Sequence, residues 1–336
     1  MPTKFLTLFI FGMFFLATTF AQNTSFKVAK IYPISSAGGW DYIAVNDHKL
    51  YVSHGTQVNI LDENSGDSIG FIPGTIGVHG ITFYNDLHKG YTSNGRLNNV
   101  FVFDLGNNKI LKQIATGENP DAISYDDFSK KIITCNGRSK SLSIIDPVKD
   151  EVIATIALDG KPEEATTNGK GKLFVNLEDK NEIAVVDMSA FSVLDKWPIA
   201  PGEAATGLAM DRKNNLLFAG CDNKRLVVVN AENGKVITSL PIGEGCDGVV
   251  FDAKQQLIFT SNGEGNITVI KEINDHKFQV VQTVPTKKTA RTLTIDPSTH
   301  TLFLPAADIE PVAPGSAATA RRKIVPGSFK VLVVKD

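Results

Sequence analysis

Short runs of alternating apolar and polar residues, parted by polar turns, fill the chain from about residue 26 to its end. Alternation at period two marks strands, whereas an amphipathic helix would repeat its apolar positions about every 3.6 residues. One such run opens each of seven similar units: Asp41–Val45, His79–Phe83, Asp121–Tyr125, Glu164–Thr167, Thr206–Met210, Asp247–Phe251 and Arg291–Ile295. The starts lie 38 to 44 residues apart. A second run ends in small polar residues, as at Tyr51–His54, Tyr91–Asn94, Ile133–Asn136, Phe174–Leu177, Phe218–Cys221, Phe259–Asn262 and Phe303–Ala306. A third run, such as Val58–Leu61 or Leu142–Ile145, leads into Asp62, Asp104, Asp146, Asp187 or Asn230. Those residue types tolerate turn geometry and bond their own backbone. A fourth run, such as Val152–Ala157 or Val236–Leu240, completes the unit.

A strand-rich period of about 40–45 residues is the signature of a β-propeller. The predicted fold is all-β: a seven-bladed propeller of four-stranded blades. The seventh unit ends without a fourth strand, while the spare run Phe26–Tyr32 precedes the first. That run is expected to complete the last blade and close the ring, which removes exposed strand edges.

The first 21 residues read as an export signal: Lys4, an apolar stretch Phe5–Phe20, and small residues at Thr19 and Ala21 before a cut ahead of Gln22. Residues 22–336 are then one propeller domain, secreted or periplasmic, with no later segment apolar enough to span a membrane. The formal net charge is −2, and Lys4 is the only charge in the leader, so the mature chain carries −3. Nucleic-acid affinity needs many phosphates neutralised by Lys and Arg, so no nucleic-acid partner is expected. Three cysteines remain in an export context that permits disulfides. Cys221 follows the second strand of the fifth unit and Cys246 precedes the start of the sixth, so these two are expected to pair. Cys135, aligned with Ser53, Ser93 and Ser261, reads as a small buried filler.

The second-strand motifs Tyr51–His54, Tyr91–Asn94 and Phe259–Asn262 resemble the Tyr-Val-Thr-Asn sequence of the YVTN-type propeller repeat. Together with the Val-Ile-Asp-like third strands, they make the mature chain similar to the YncE-like secreted propellers along almost its whole length. The resemblance implies the fold and an exported location. It carries no shared catalytic motif onto this chain.

In a propeller the first strand lines the central channel, and the loops that share a face with its start carry ligands. The candidate mouth residues are Asp41, His79, Asp121, Glu164, Thr206, Asp247 and Arg291 at the unit starts. After the second strands stand His54, Asn94, Asn136, Glu178, Asp222, Asn262 and Asp308. Such residues also cap turns on any solvated rim. His54 and His79 should be neighbours, and with Asp41 or Asp121 they form a candidate divalent-metal site, though they lack a standard ligand spacing. No cofactor beyond such a metal is indicated. The long segment from Pro305 to Lys330 contains Arg321, Arg322 and Lys323 and should emerge beside Lys287, Lys288 and Arg291. Glu163, Glu164, Glu178 and Asp179 lie across the ring. The expected mouth is bipolar, with an anionic or zwitterionic ligand anchored by Arg291 under a basic flap carrying Arg321 and Arg322.

There is no Gly-x-Ser-x-Gly elbow, phosphate-binding Gly-Lys-Ser/Thr loop, HExxH or CxxC. The leading reading is a non-enzymatic binding or scaffold propeller that holds a small polar ligand or a partner peptide. The alternatives are a lactonase- or lyase-like propeller enzyme and a purely structural envelope protein.

Overall fold

A computed structural model describes residues 25–274, 277–310 and 323–336. The leader 1–21 and the flap residues Arg321 and Arg322 lie outside them. The described chain forms seven antiparallel four-stranded sheets. Their first strands are Trp40–Asn46, Val78–Tyr84, Pro120–Asp126, Pro162–Thr167, Ala205–Asp211, Cys246–Asp252 and, much shorter, Thr294–Asp296. These seven sheets are the blades of a propeller, numbered here from the first complete unit. Among the described residues, no helix is long and apolar enough to cross a membrane.

The alternating pattern explains how the blades stack. Second and third strands are buried on both faces, and one large side chain recurs on the second strand: Tyr51, Tyr91, Phe174, Phe218, Phe259 and Phe303 are all at most 1% exposed. The fourth strands keep an exposed side, as in Glu151–Ala157, because they form the rim. Each blade thus contributes both faces to apolar layers shared with its neighbours, the aligned packing expected between sheets. The turns behave as their sequences require. Asp62 Oδ1 accepts the N–H groups of Asn64 and Ser65 at 2.9 and 2.8 Å, and Asp104, Asp146, Asp187 and Asn230 repeat the arrangement.

The N-terminal strand Lys27–Pro33 pairs with the C-terminal strand Lys330–Lys335, from Lys27 opposite Lys335 to Pro33 opposite Lys330. The last blade therefore takes its fourth strand from the start of the chain, as expected. Phe26 packs edge-on against Phe259 of blade 6 at 5.0 Å, and Tyr32 donates to the carbonyls of Glu63 and Asn64 in blade 1. The joint is held on both flanks.

Side-chain hydrogen bonds from the first and second strands of one blade reach the start of the next blade near the channel. Ser93 donates to the Asp121 carbonyl, Ser261 to that of Arg291 and Thr206 to that of Cys246. Arg291–Leu293 fall outside the regular ladder of blade 7. Thr292 instead donates to the Asp41 carbonyl at 2.6 Å and ties the last blade to the first. Small residues let the strands approach. A Cβ on Gly207 would lie 2.7 Å from the Val249 backbone nitrogen of the next blade.

The expected Cys221–Cys246 bridge is not formed; all three cysteines are free and buried. Cys221 belongs to the apolar layer between blades 4 and 5, and Cys246 to the layer between blades 5 and 6. The sheet of blade 5 separates the two layers, which position along the chain does not show. Cys135 is buried at 1% exposure, as a filler should be.

Candidate functional site

Strand register defines one ring of seven side chains. In each of the first six blades, the first strand opens opposite the last residue of the second, as Trp40 does opposite His54 and Pro120 opposite Asn136. The next residue, at the start of the channel wall, is Asp41, His79, Asp121, Glu163, Thr206 or Asp247; Arg291 occupies the corresponding place before the short strand of blade 7. Glu163, not Glu164, is the fourth member, because Pro162 opposes Leu177 just as Pro120 opposes Asn136. The sequence expectation was one residue too late there. Two adjacent glutamates hide the offset, and the repeated proline reveals it.

Five of the seven side chains form a continuous charge relay. Arg291 pairs with Asp247 and, through its other terminal nitrogen, with Asp41 Oδ1 at 3.3 Å. Asp41 Oδ2 is 2.6 Å from His79 Nδ1, which lies 3.6 Å from Asp121 Oδ1. Glu163 pairs with Lys161 at 2.6 Å, and Lys161 also holds Glu178. Burial works against protonation of His79, but the Asp41 hydrogen bond and the charges of Asp121 and Asp41 outweigh it and raise its pKa.

The carboxylates are less fully compensated. Burial and the charge of Asp41 push Asp121 up to about 6, against the pull of His79, Lys161 and Arg291. Burial and Asp121 push Glu163 to about 7, although Lys161 opposes them. Glu164 rises to about 8, through burial and the charges of Asp121, Glu163 and Asp41, against a bond from the Ala165 N–H.

Tyr42 lies among the carboxylates of the ring. It belongs to blade 1, yet its ring packs against the apolar layer between blades 3 and 4, beside Ala122 and Ala165. Blade 1 touches only blades 2 and 7 around the rim, so this side chain crosses the central axis. Burial, then Glu164, Asp121, Asp41 and Glu163, raise its phenol well above the usual tyrosine pKa. Together the ring and Tyr42 define a carboxylate-rich site near the axis, which we call the cup.

Glutamate ionises near 4.5 in an unfolded chain, so the folded protein holds the Glu164 proton more tightly. That stabilisation is complete below about pH 4.5 and is lost as pH rises toward about 8. Glu164→Gln should therefore leave the melting temperature nearly unchanged at pH 4.5 and raise it by about 3 °C at pH 8.5, as read by calorimetry. An equal shift at both pH values would show that Glu164 ionises normally.

Several rim candidates have structural roles instead. His54 is 1% exposed and stacks on Phe329 at 3.8 Å. Its Nδ1 bonds Ser36 Oγ and its Nε2 the Gly38 carbonyl, and burial lowers its pKa to about 4. With both ring nitrogens occupied, His54 is not a partner for His79 in a metal site. Asn94, Asn136 and Asn262 are fully buried and bond residues on the following strand, such as Asn99, Ser141 and Asn266. They lock the hairpin between second and third strands.

The basic side of the mouth also differs from expectation. Arg291 is taken up by Asp247 and Asp41, so it is not a free anchor for an anion. Lys287 and Lys330 both pair with Asp308, and their hydrogen bonds hold its carboxyl below the usual range. The described ends of the long segment pair with each other through Ile309 and Ile324. Lys161 and Tyr42 were not foreseen. The one available signal was Lys161 standing two residues before Glu163.

This architecture is that of a seven-bladed β-propeller whose first strands bring a ring of charged side chains together near the axis. The chain is similar to two solved structures. One structure, described as U3-55K, is 9% identical, with 90% of this chain and 97% of that chain covered at a TM-score of 0.75. The other, described as the RRP9 WD40 repeats, is also 9% identical, with 91% and 97% covered at a TM-score of 0.76. At such identity the likeness shows the fold alone. No protein-family model and no curated protein matches the chain.

Proposed function

We propose that this chain is an exported binding propeller of the YVTN, YncE-like kind, with residues 1–21 as its signal. It takes a positively charged group of a small polar ligand or partner peptide into the cup. The observation that carries this reading is the ring of Asp41, Asp121, Glu163 and Asp247 beside Tyr42, whose carboxylates outnumber the cations Arg291 and Lys161 paired with them. A buried carboxylate is stabilised when a bound cation replaces the water it has lost. Propellers commonly bind at this mouth, and the fold is consistent with a scaffold role toward protein partners.

The test is fluorescence anisotropy with a labelled tetralysine peptide and its tetraglutamate counterpart. The basic peptide should bind at low salt, and Asp121→Asn should weaken it about tenfold while leaving the melting temperature within a few degrees. Equal binding of both peptides, or no response to Asp121→Asn, would overturn the reading.

One observation supports an enzymatic alternative. The Asp41–His79 pair, 2.6 Å apart, is an oriented acid–base dyad of the kind a lactonase or lyase uses. Turnover of a lactone panel that is lost in His79→Ala would favour it over pure binding.

A further inference from the structure

We infer that the cation the cup is built for is a divalent metal ion, bound by Asp41, His79 and Asp121. This inference rests on the cup being a ligand site and names the ligand. The three side chains come from the same position on the first strands of blades 1, 2 and 3, and one ligand atom from each lies within 4.8 Å of the others. An ion bonded to each at about 2.1 Å needs its ligand atoms about 3–4 Å apart. His79 Nδ1 and Asp121 Oδ1, at 3.6 Å, already meet that requirement. Asp41 Oδ2, at 2.6 Å from the same nitrogen, must open by about 1 Å, which is a modest side-chain rotation.

The surroundings favour the ion on separate grounds. Two carboxylates alone would be an ordinary acidic rim, but here an imidazole nitrogen is aimed between them. The carboxylates Asp41, Asp121, Glu163, Asp247 and Glu178 outnumber the cations Arg291 and Lys161 that pair with them, an excess of negative charge that a divalent ion offsets. Arg291 holds Asp41 by Oδ1 and leaves Oδ2 toward the ion, the orienting role outer partners play at metal sites. The coordination positions that these three residues leave open take water or a ligand group. One imidazole with two carboxylates suits zinc or manganese better than the all-oxygen ions magnesium and calcium.

The experiment is isothermal titration of chelator-stripped protein, residues 22–336, with ZnCl2 and MnCl2 at pH 7. One equivalent should bind, more tightly than MgCl2 or CaCl2 by at least tenfold. His79→Ala and Asp121→Asn should each weaken binding at least a hundredfold. His88→Ala, which removes an exposed histidine away from the ring, should leave it unchanged. Melting curves in chelator confirm that each variant is folded, and nitrogen hyperfine coupling from bound Mn2+ should vanish in His79→Ala. Binding that survives His79→Ala, or a loss shared equally by His88→Ala, would overturn the inference. If neither ion binds while tetralysine still binds in an Asp121-dependent manner, the metal inference fails and the cup stands. If neither metal nor peptide binds, both fail.

Discussion

Deleting residues 25–33 is expected to lower the melting temperature by about 10 °C or more. The deletion removes the whole strand opposite Lys330–Lys335 and leaves that strand as a bare edge. It also removes Phe26 and Tyr32, which are 3% and 4% exposed. Burial of each such side chain contributes about 1.5–3 kcal/mol, before the lost strand pairing is counted. A loss of about 5 kcal/mol alone corresponds to about 8 °C for a domain of this size, and the lost strand pairing carries the shift past 10 °C. The suitable control is Lys30→Ala, which removes one exposed contact to Asn64 and keeps the strand. Calorimetry of the three proteins decides the matter. A deletion that melts with the wild type would mean that the ring is held elsewhere.

Gly207→Ala should destabilise the fold by about 3 kcal/mol, through a single added methyl group. Its Cβ would stand 2.7 Å from the Val249 nitrogen and 2.8 Å from the Gly248 carbon. Both are backbone atoms of the next blade's first strand, so no side chain can swing aside. Overpacking of this kind typically costs about 1–3 kcal/mol, and the upper end applies where backbone must move. Because the blades form a closed circle, widening one gap compresses the others. Gly39→Ala is the comparison, because its Cβ would meet nothing within 4 Å and its backbone lies outside the left-handed region. Urea denaturation should separate the two variants clearly. Matching midpoints would show that the first strands are not tightly apposed.

The fold was legible because its signals are local. Each strand alternates within a few residues, each turn carries its own Asp or Asn, and the period exposes the missing fourth strand of the seventh unit. Most of the ring was legible too, since Asp41, His79, Asp121, Asp247 and Arg291 open their repeats. What failed depends on depth and direction. His54 and Asn94 end their second strands beside the mouth, yet they point into the blade packing, and the sequence does not state which way a side chain turns. The cysteine pairing failed for the same reason, because a sheet lies between two residues whose positions suggested adjacency. Arg291 read as a free cation because its partners Asp247 and Asp41 stand 44 and 250 residues away. The role of Tyr42 requires knowing what lies across the axis.

A ring whose members touch only their neighbours has one cheap deformation: it ovalises, spreading along one diameter as it shortens along another. Tyr42 is a spoke against that motion. It fastens blade 1 to the layer between blades 3 and 4 and shortens the mechanical path between parts of the ring that are otherwise linked only around the circumference. Shortening it to alanine should release slow breathing on the microsecond-to-millisecond scale, visible as relaxation dispersion in the amides of the inner strands. The same aromatic ring that lies among the carboxylates of the cup would then also set how still its walls stand.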